Sequence, residues 1–301
     1  MRNVSEKNTT LRVATAVSSI KMNPETVILL KNNDVPKKDV LIVARVAGIT
    51  AAKKTPDLIP YCHTLPIDVV EISFEIGWDE VIVTATVSAI WKTGVEIEAL
   101  VAANVAALTV YDMLKPIDTN LEIVSTKLVK KTGGKSDYLE SLAPGFKAAV
   151  IVTSDGTYQG KREDKSGKII VERLKSLGIE SISYIVLPDE EETIRRELVN
   201  LCEKKMNLIV TTGGTGLGPR DVTVEATRGV IEREMPAVMQ AMRDYGQKRT
   251  PYAMLSRGLA GTCQRSVIVN LPGSSRGTKE SLNAVFPALL HVYKMMDGGG
   301  H

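Results

Sequence analysis

The sequence predicts two unlike domains: an α+β sandwich of ferredoxin-like order over residues 1–136, and an α/β three-layer sandwich around a mostly parallel sheet over 147–301, joined by a linker at 137–146. Three observations predict this. The chain is 301 residues long, twice the usual domain size of about 150. Apolar and polar residues alternate in the first part, as in antiparallel strands with one wet face, whereas runs in the second are continuously apolar, as in strands covered on both sides. Between them, Thr132-Gly-Gly-Lys-Ser-Asp137 through Pro144-Gly145 shows no period.

The first part opens with a short apolar run at 27–30, Val-Ile-Leu-Leu, which stands where an opening strand is expected. Val43, Val46, Ala47 and Ile49 recur at helical spacing over 38–54, and Pro56 ends the pattern. Val70, Ile72, Phe74 and Ile76 alternate with Glu71, Ser73 and Glu75, and a second strand follows over 81–87. An alanine-rich helix spans 95–114, opened by the capping box Thr93-Gly-Val-Glu96 and stopped by Pro116. A strand at 121–128 completes β-α-β-β-α-β.

The second part predicts strands at 147–153, 182–187, 207–212 and 266–271. Helices lie between them, marked by Ile170, Leu174 and Leu177, then by Ile194, Leu198 and Leu201, with a last helix over 278–295. Strands alternating with helices give a parallel, doubly wound sheet.

Composition excludes several classes. Aromatic residues are 4% of the chain, too few for base-stacking platforms, and the net charge of +3 argues against a nucleic-acid partner. Cys62, Cys202 and Cys263 are scattered, with no CxxC pair for zinc. The first eight residues are polar and lack an apolar signal core, and the most apolar stretch, 99–110, falls short of the roughly 20 residues of a membrane span. These features predict a cytoplasmic protein with no membrane partner.

In an open α/β sheet, ligands bind where strands hand over to helices. Three such turns are unusual: Thr153-Ser-Asp155-Gly, Thr212-Gly-Gly-Thr-Gly-Leu-Gly-Pro-Arg-Asp221 and Asn270-Leu-Pro-Gly-Ser-Ser-Arg-Gly277. Glycines let backbone N–H groups approach an anion, and a following helix N-terminus favours negative charge. The middle turn fits neither the Walker A nor the dinucleotide spacing, which disfavours a nicotinamide-dependent oxidoreductase. Acidic residues at neighbouring strand ends, Asp189 and Asp221, favour phosphate with a divalent metal. Asp189-x-x-Glu192 also fits a helix N-cap, and Thr223 is the natural cap of the helix after Asp221.

With Ser154-Asp155, Pro188-Asp189, Glu234-Met-Pro236 and Asn270-Leu-Pro-Gly273, the middle turn resembles the molybdopterin adenylyltransferase family over 146–296. The resemblance implies AMP transfer from Mg-ATP to the terminal phosphate of molybdopterin. It assigns catalysis to Asp189 and Asp221, which would also hold Mg2+, and substrate binding to Asp155, Gly213, Gly214, Thr215, Gly216, Ser274 and Ser275. Val224 departs from the proline usual there. A pterin-binding or oligomerisation module without catalysis is the alternative that the sequence leaves open for this half.

In the first part, His63 is the only histidine and sits in the Pro-bounded loop Leu58-Ile-Pro-Tyr-Cys-His63, near Lys53, Lys54 and Asp57. Glu98 is a carboxylate at the head of an apolar helix, and Asp112 and Lys115 stand three apart at its tail. Lys92-Thr-Gly-Val-Glu-Ile-Glu-Ala-Leu100, Ala106-Ala-Leu-Thr-Val-Tyr-Asp-Met113 and Gly133-Gly-Lys-Ser136, together with that loop, resemble the cyclic pyranopterin monophosphate synthases over 4–136. The resemblance implies conversion of a GTP-derived 3′,8-cyclised nucleotide to cyclic pyranopterin monophosphate and pyrophosphate, without a cofactor. It places Lys37, His63, Glu96, Glu98, Asp112 and Lys115 in the active site, with Lys53, Lys54 and Lys135 binding substrate. Asn3, Lys38 and Thr64 depart from the usual Asp, Gly and Pro.

If that helix is continuous, Glu98 and Asp112 stand ~21 Å apart at 1.5 Å per residue. One chain then cannot bring both to one atom, which predicts a site shared between subunits, in keeping with the family's hexamers. The small-molecule partners expected are the cyclic nucleotide, molybdopterin and ATP, in a homo-oligomer that is a hexamer or otherwise trimer-based.

Overall fold

A computed structural model describes residues 1–299, the Lys135 side chain excepted. The chain divides into two compact units, Met1–Asp137 and the remainder from Tyr138.

In the first unit, β1 (Thr10–Lys21), α1 (Pro24–Lys31), α2 (Val40–Lys53), α3 (Thr55–Leu58), β2 (Val69–Ile76), β3 (Glu80–Trp91), α4 (Glu96–Leu114) and β4 (Glu122–Thr132) follow in order. The sheet order is β2-β3-β1-β4, antiparallel throughout. The β-α-β-β-α-β succession is present, with α1 and α3 added.

The opening strand is not where periodicity put it. The run at 27–30 belongs to α1, whose first turn carries Pro24 and which packs Val27 and Leu30 inward. The strand is β1, whose inward residues include Ala14, Ala16 and Ser18. Small side chains give a weak hydrophobic period, so β1 is inconspicuous in sequence although it is the central partner of both β3 and β4. Ala99, Ala102, Ala103, Ala106 and Ala107 on α4 are likewise fully buried. Alanine lets α4 approach the sheet and α2, where a Cβ on Gly48 would stand 2.8 Å from Ala102 O. With 19 residues α4 is long and apolar enough to cross a membrane, but this burial identifies it as the core helix of its unit.

The second unit contains β5 (Lys147–Thr153), α5 (Asp155–Tyr158), α6 (Ser166–Ser176), β6 (Ser181–Leu187), α7 (Glu191–Glu203), β7 (Leu208–Thr212), α8 (Thr223–Arg228), β8 (Arg233–Glu234), α9 (Pro236–Gln247), β9 (Ala260–Cys263), β10 (Ser266–Leu271), α10 (Ser275–Val285) and α11 (Val292–Met296). Its sheet runs β6-β5-β7-β10-β9-β8. The first four strands are parallel, and β9 and β8 extend the sheet antiparallel. Strand residues alternate between two cores. Ala148, Val150, Leu208 and Val210 meet α6, α9 and α10, while Ala149, Ile151 and Ile209 meet α7 and α8. This is the three-layer arrangement. The single long helix expected over 278–295 is instead broken: α10 stops at Val285 before Pro287, which has no N–H to continue it.

Candidate active sites

Two helix-start expectations change in the structure. Thr93 and Glu96 form no capping box, because α4 begins at Glu96 with Val95 as its cap and no side-chain bond. Glu96 instead folds over Gly94, where a Cβ would lie 1.9 Å from its Oε2, and its Oε1 takes the Lys131 Nζ at 3.4 Å. Asp189 does not cap α7, whose cap is Glu190. Nor does Thr223 cap α8, being its first residue, with its hydroxyl 3.0 Å from that of Thr153.

In the first unit the matched residues form two groups at opposite ends of α4. At the tail, Asp112 is held by two ammonium groups, Lys115 Nζ at 2.7 Å on Oδ1 and Lys37 Nζ at 3.0 Å on Oδ2. The Lys115 and Lys37 hydrogen bonds hold the Asp112 carboxyl below its usual range, and Asp112 in turn raises Lys115. All three are exposed, so the group is open to solvent.

At the head, Glu98 is 2% exposed, and its Oε1 has no hydrogen-bond partner. Burial, and then the Glu96 charge, raise its carboxyl above the ordinary range. A buried carboxyl with an unmatched oxygen and a raised pKa marks a candidate functional position. The thiol of Cys62 lies near it, pushed up by burial and then by Glu98, and so brings the His63 loop to this end. Lys53 and Lys54 close α2, which runs antiparallel to α4: Lys37, just before α2, meets Asp112, while Gly48 meets Ala102 and Ala106. The two lysines are therefore on the Glu98 side. Because α4 is unbroken from Glu96 to Leu114, one chain does not bring the two groups together. Lys135 is the matched residue whose side chain lies outside the described residues.

Sequence reasoning missed Arg12. It is 9% exposed on β1, donates to Trp91 O at 3.3 Å and Lys92 O at 3.5 Å, and with Glu96, Lys131 and Gly134 lines a small pocket of about 60 Å³. A buried arginine among backbone carbonyls carries no signal in a single sequence.

In the second unit the strand ends converge on one cleft of about 730 Å³, lined among others by Thr153, Asp189, Gly213, Gly214, Asp221, Ser274 and Ser275. This volume is in the range of small-molecule sites. Its floor is two touching glycine turns, for a Cβ on Gly273 would stand 3.1 Å from the Gly213 Cα. Gly213 has φ +106°, and a Cβ there would meet Thr153 O at 2.2 Å, so only glycine fits. Ser274 caps α10, its Oγ accepting from Gly277 N at 3.2 Å, and Ser275 opens that helix. The positive end of α10 thus points into the cleft.

The acidic side has a reciprocal clasp. Asp189 Oδ2 accepts from Asp155 N at 2.9 Å, and Asp155 Oδ1 accepts from Asp189 N at 3.0 Å. Asp155 also receives Arg220 through both oxygens at 2.8–3.0 Å. The Asp189 amide and then Arg220 hold Asp155 low, while burial and then the Asp155 and Asp221 charges raise Asp189 despite the clasp. Asp155 therefore positions Asp189 and Arg220, having no oxygen to spare. Asp221 Oδ2 accepts from Gly218 N at 2.8 Å, and Gly216 leaves it room. Thr215 is buried beside them, its carbonyl taken by Arg257 N at 3.0 Å.

Among the described residues, Asp189 and Asp221 accept hydrogen bonds through Oδ2 and none through Oδ1. Among the described residues there is no cluster of three metal-ligating side chains. Two such carboxylate oxygens suit Mg2+, which usually takes one or two carboxylates and completes its shell with phosphate and water.

Asp164, also on the cleft wall, is a different case. It receives Tyr184 Oη at 2.6 Å, Ser166 Oγ and Gly167 N at 3.0 Å, and Lys168 N at 3.2 Å. Burial alone would raise it, but these donors hold it low, and it fixes the start of α6. A neighbouring pocket of about 280 Å³ shares Ser274 and is walled by Met239, Met242, Tyr252 and Arg276. Sequence reading missed it because the walls that α9 and a 3-10 turn add to the Asn270–Gly277 segment carry no motif.

A profile of the MoaC family matches residues 1–134, and one described as a probable molybdopterin binding domain matches 149–291. A molybdenum cofactor biosynthesis bifunctional protein of Chlorobaculum tepidum is 42% identical over 301 residues, covering 100% of this chain and 96% of its own. One from Synechococcus elongatus is 36% identical, with 100% and 98% covered. The cyclic pyranopterin monophosphate synthase of Brevibacillus brevis is 51% identical over 45% of this chain and 86% of its own. A crystal structure of the molybdopterin biosynthesis enzyme MoaB from Thermus thermophilus aligns with 51% of this chain and 97% of its own, at 42% identity and a TM-score of 0.48. The full-length match, with both halves in order, makes this chain a member of the bifunctional molybdenum cofactor biosynthesis protein family.

Proposed function

We propose that the first unit, read as a ferredoxin-like synthase domain, converts the GTP-derived 3′,8-cyclised nucleotide to cyclic pyranopterin monophosphate with release of pyrophosphate. The second unit adenylylates molybdopterin with Mg-ATP, in the cytoplasm. The observation that carries the first half is the Lys37–Asp112–Lys115 group. Asp112 stays ionised, so Lys115 Nζ supplies the proton to the opening ring, and Lys37 with Lys53 and Lys54 holds phosphate. Glu98, its carboxyl raised by burial, stands at the other end of α4 with Cys62 of the His63 loop near it. Because one chain separates these groups, a complete site takes its head from one subunit and its tail from another, in a homo-oligomer.

The second half rests on one cleft that joins two glycine turns, the N-terminus of α10 and two carboxylates. Backbone N–H groups of the turns and of α10 hold phosphate. Asp189 and Asp221 would hold Mg2+, which when bound neutralises phosphate charge and favours attack at the α-phosphorus. The adjoining apolar pocket accepts a flat heterocycle. Incubating the full chain with molybdopterin and Mg-ATP should yield adenylylated molybdopterin, and EDTA should stop this reaction while sparing the synthase. Tight pterin binding without adenylylated product would establish a binding module instead.

A further inference from the structure

The turn that presents Asp221 has little structure of its own. Between Gly214 and Thr223 its backbone closes with Asp221 N to Gly218 O at 3.0 Å and Thr223 N to Gly214 O at 3.1 Å. Gly218 N to Asp221 Oδ2 and the Arg220–Asp155 pair add local ties, and the turn's carbonyls are held by Arg257, in the irregular stretch before β9. Its N–H donates to Thr215 O at 3.0 Å, Nε to Gly216 O at 2.6 Å and Nη2 to Asp221 O at 2.8 Å. Its Nη1 pairs with Glu225 in the first turn of α8 at 2.5 Å. One planar fork thus ties both limbs of the turn to the helix that follows it.

The clamp is itself anchored. The second oxygen of Glu225 is buried without a hydrogen-bond partner, a cost that the guanidinium charge offsets, and Arg257 holds the Glu225 carboxyl below its usual range. The stretch carrying Arg257 is fixed by Asn270, which is 0% exposed. Asn270 Oδ1 accepts from Leu259 N at 3.1 Å, and its Nδ2 donates to Thr211 and Thr227 Oγ1, both at 2.9 Å. Arg257 does not line the cleft, and its guanidinium contacts are with the turn and α8.

We infer that Arg257 is a positioning residue for Asp221: it sets the path of the turn before substrate arrives, so that the carboxylate need not be reordered during the reaction. The inference rests on the reading of Asp221 given above. Preorganisation of this kind acts on the rate once substrate is bound, since small misplacements of a reacting group are costly. Lysine cannot replace the fork, because a single ammonium does not span three acceptors.

The test uses the full chain and the Arg257→Ala, Arg257→Lys and Asp221→Ala variants. AMP transfer is followed against ATP concentration, with synthase rate and thermal midpoint as controls. Arg257→Ala should lower kcat by about 10–100-fold with KM for ATP held, Arg257→Lys should recover little, and low millimolar guanidinium should restore part of the Arg257→Ala rate but none of the Asp221→Ala rate. Amide hydrogen exchange without ligand should speed up over 215–221 in Arg257→Ala. Unchanged kcat, a loss residing in KM, or a loss with a fallen thermal midpoint and no guanidinium rescue would overturn the inference. A wild-type chain that transfers no AMP sinks the underlying reading, and unchanged exchange over the turn then sinks this one too.

Discussion

The two units build their sites in opposite ways. In the second, the parallel sheet brings several strand ends to one edge, so the cleft is made of backbone turns and assembled within one chain. In the first, the antiparallel sheet gathers no strand ends, and the chemical groups ride on α4, some at its head and some at its tail. Convergence by topology gives a complete site. Placement along a helix leaves two groups that one chain does not bring together.

The largest break in this comparison should come from Gly213→Ala. A Cβ there meets Thr153 O at 2.2 Å, so the change should cost about 3 kcal/mol or more and abolish AMP transfer while the synthase persists. Separate assays and a two-step melting profile check this. Next, Glu98→Gln and Lys115→Ala should each remove synthase activity by about 10²–10⁴-fold. Mixing the two inactive variants under subunit exchange should restore part of it, because some interfaces then join an intact head to an intact tail. No recovery on mixing would confine each site to one chain and remove the contrast.

Smaller effects distinguish the two ends of α4 by pH. The Glu98 carboxyl is raised in the folded chain, so the unfolded chain ionises first as pH rises through the carboxylate range, and stability falls from there up to the folded value. Glu98→Gln should therefore raise the thermal midpoint at neutral pH more than at pH ~4. Asp112 is depressed, and its contribution is present above the unfolded carboxylate value and lost as pH falls through the folded one. Since Asp112 is exposed, Asp112→Asn should shift the midpoint least of all. Thermal melts from acid to neutral pH test both signs.

What the sequence made legible follows the same division. The second unit's cleft could be read because glycines at strand ends are local signals, and Asp189 and Asp221 stand beside them. Glu98 could be read because a carboxylate inside an alanine-rich helix has no bland explanation. β1 was hidden because Ala14, Ala16 and Ser18 make a weak inner face, and β9 because Ala260–Cys263 is short and made of small residues. Arg257 was invisible for another reason: its side chain's partners lie 32 to 41 residues away, from Glu225 back to Gly216, and no local pattern encodes a contact of that span. Helix starts misled in both units, because Glu96, Asp189 and Thr223 look like caps and serve other contacts.

The central claim is that the chain holds two independent catalysts. It is tested most directly by measuring both reactions in Lys115→Ala and Asp221→Ala proteins. The account predicts that Lys115→Ala loses cyclic pyranopterin monophosphate formation and keeps AMP transfer, and that Asp221→Ala does the reverse. Loss of both activities in either variant would contradict it.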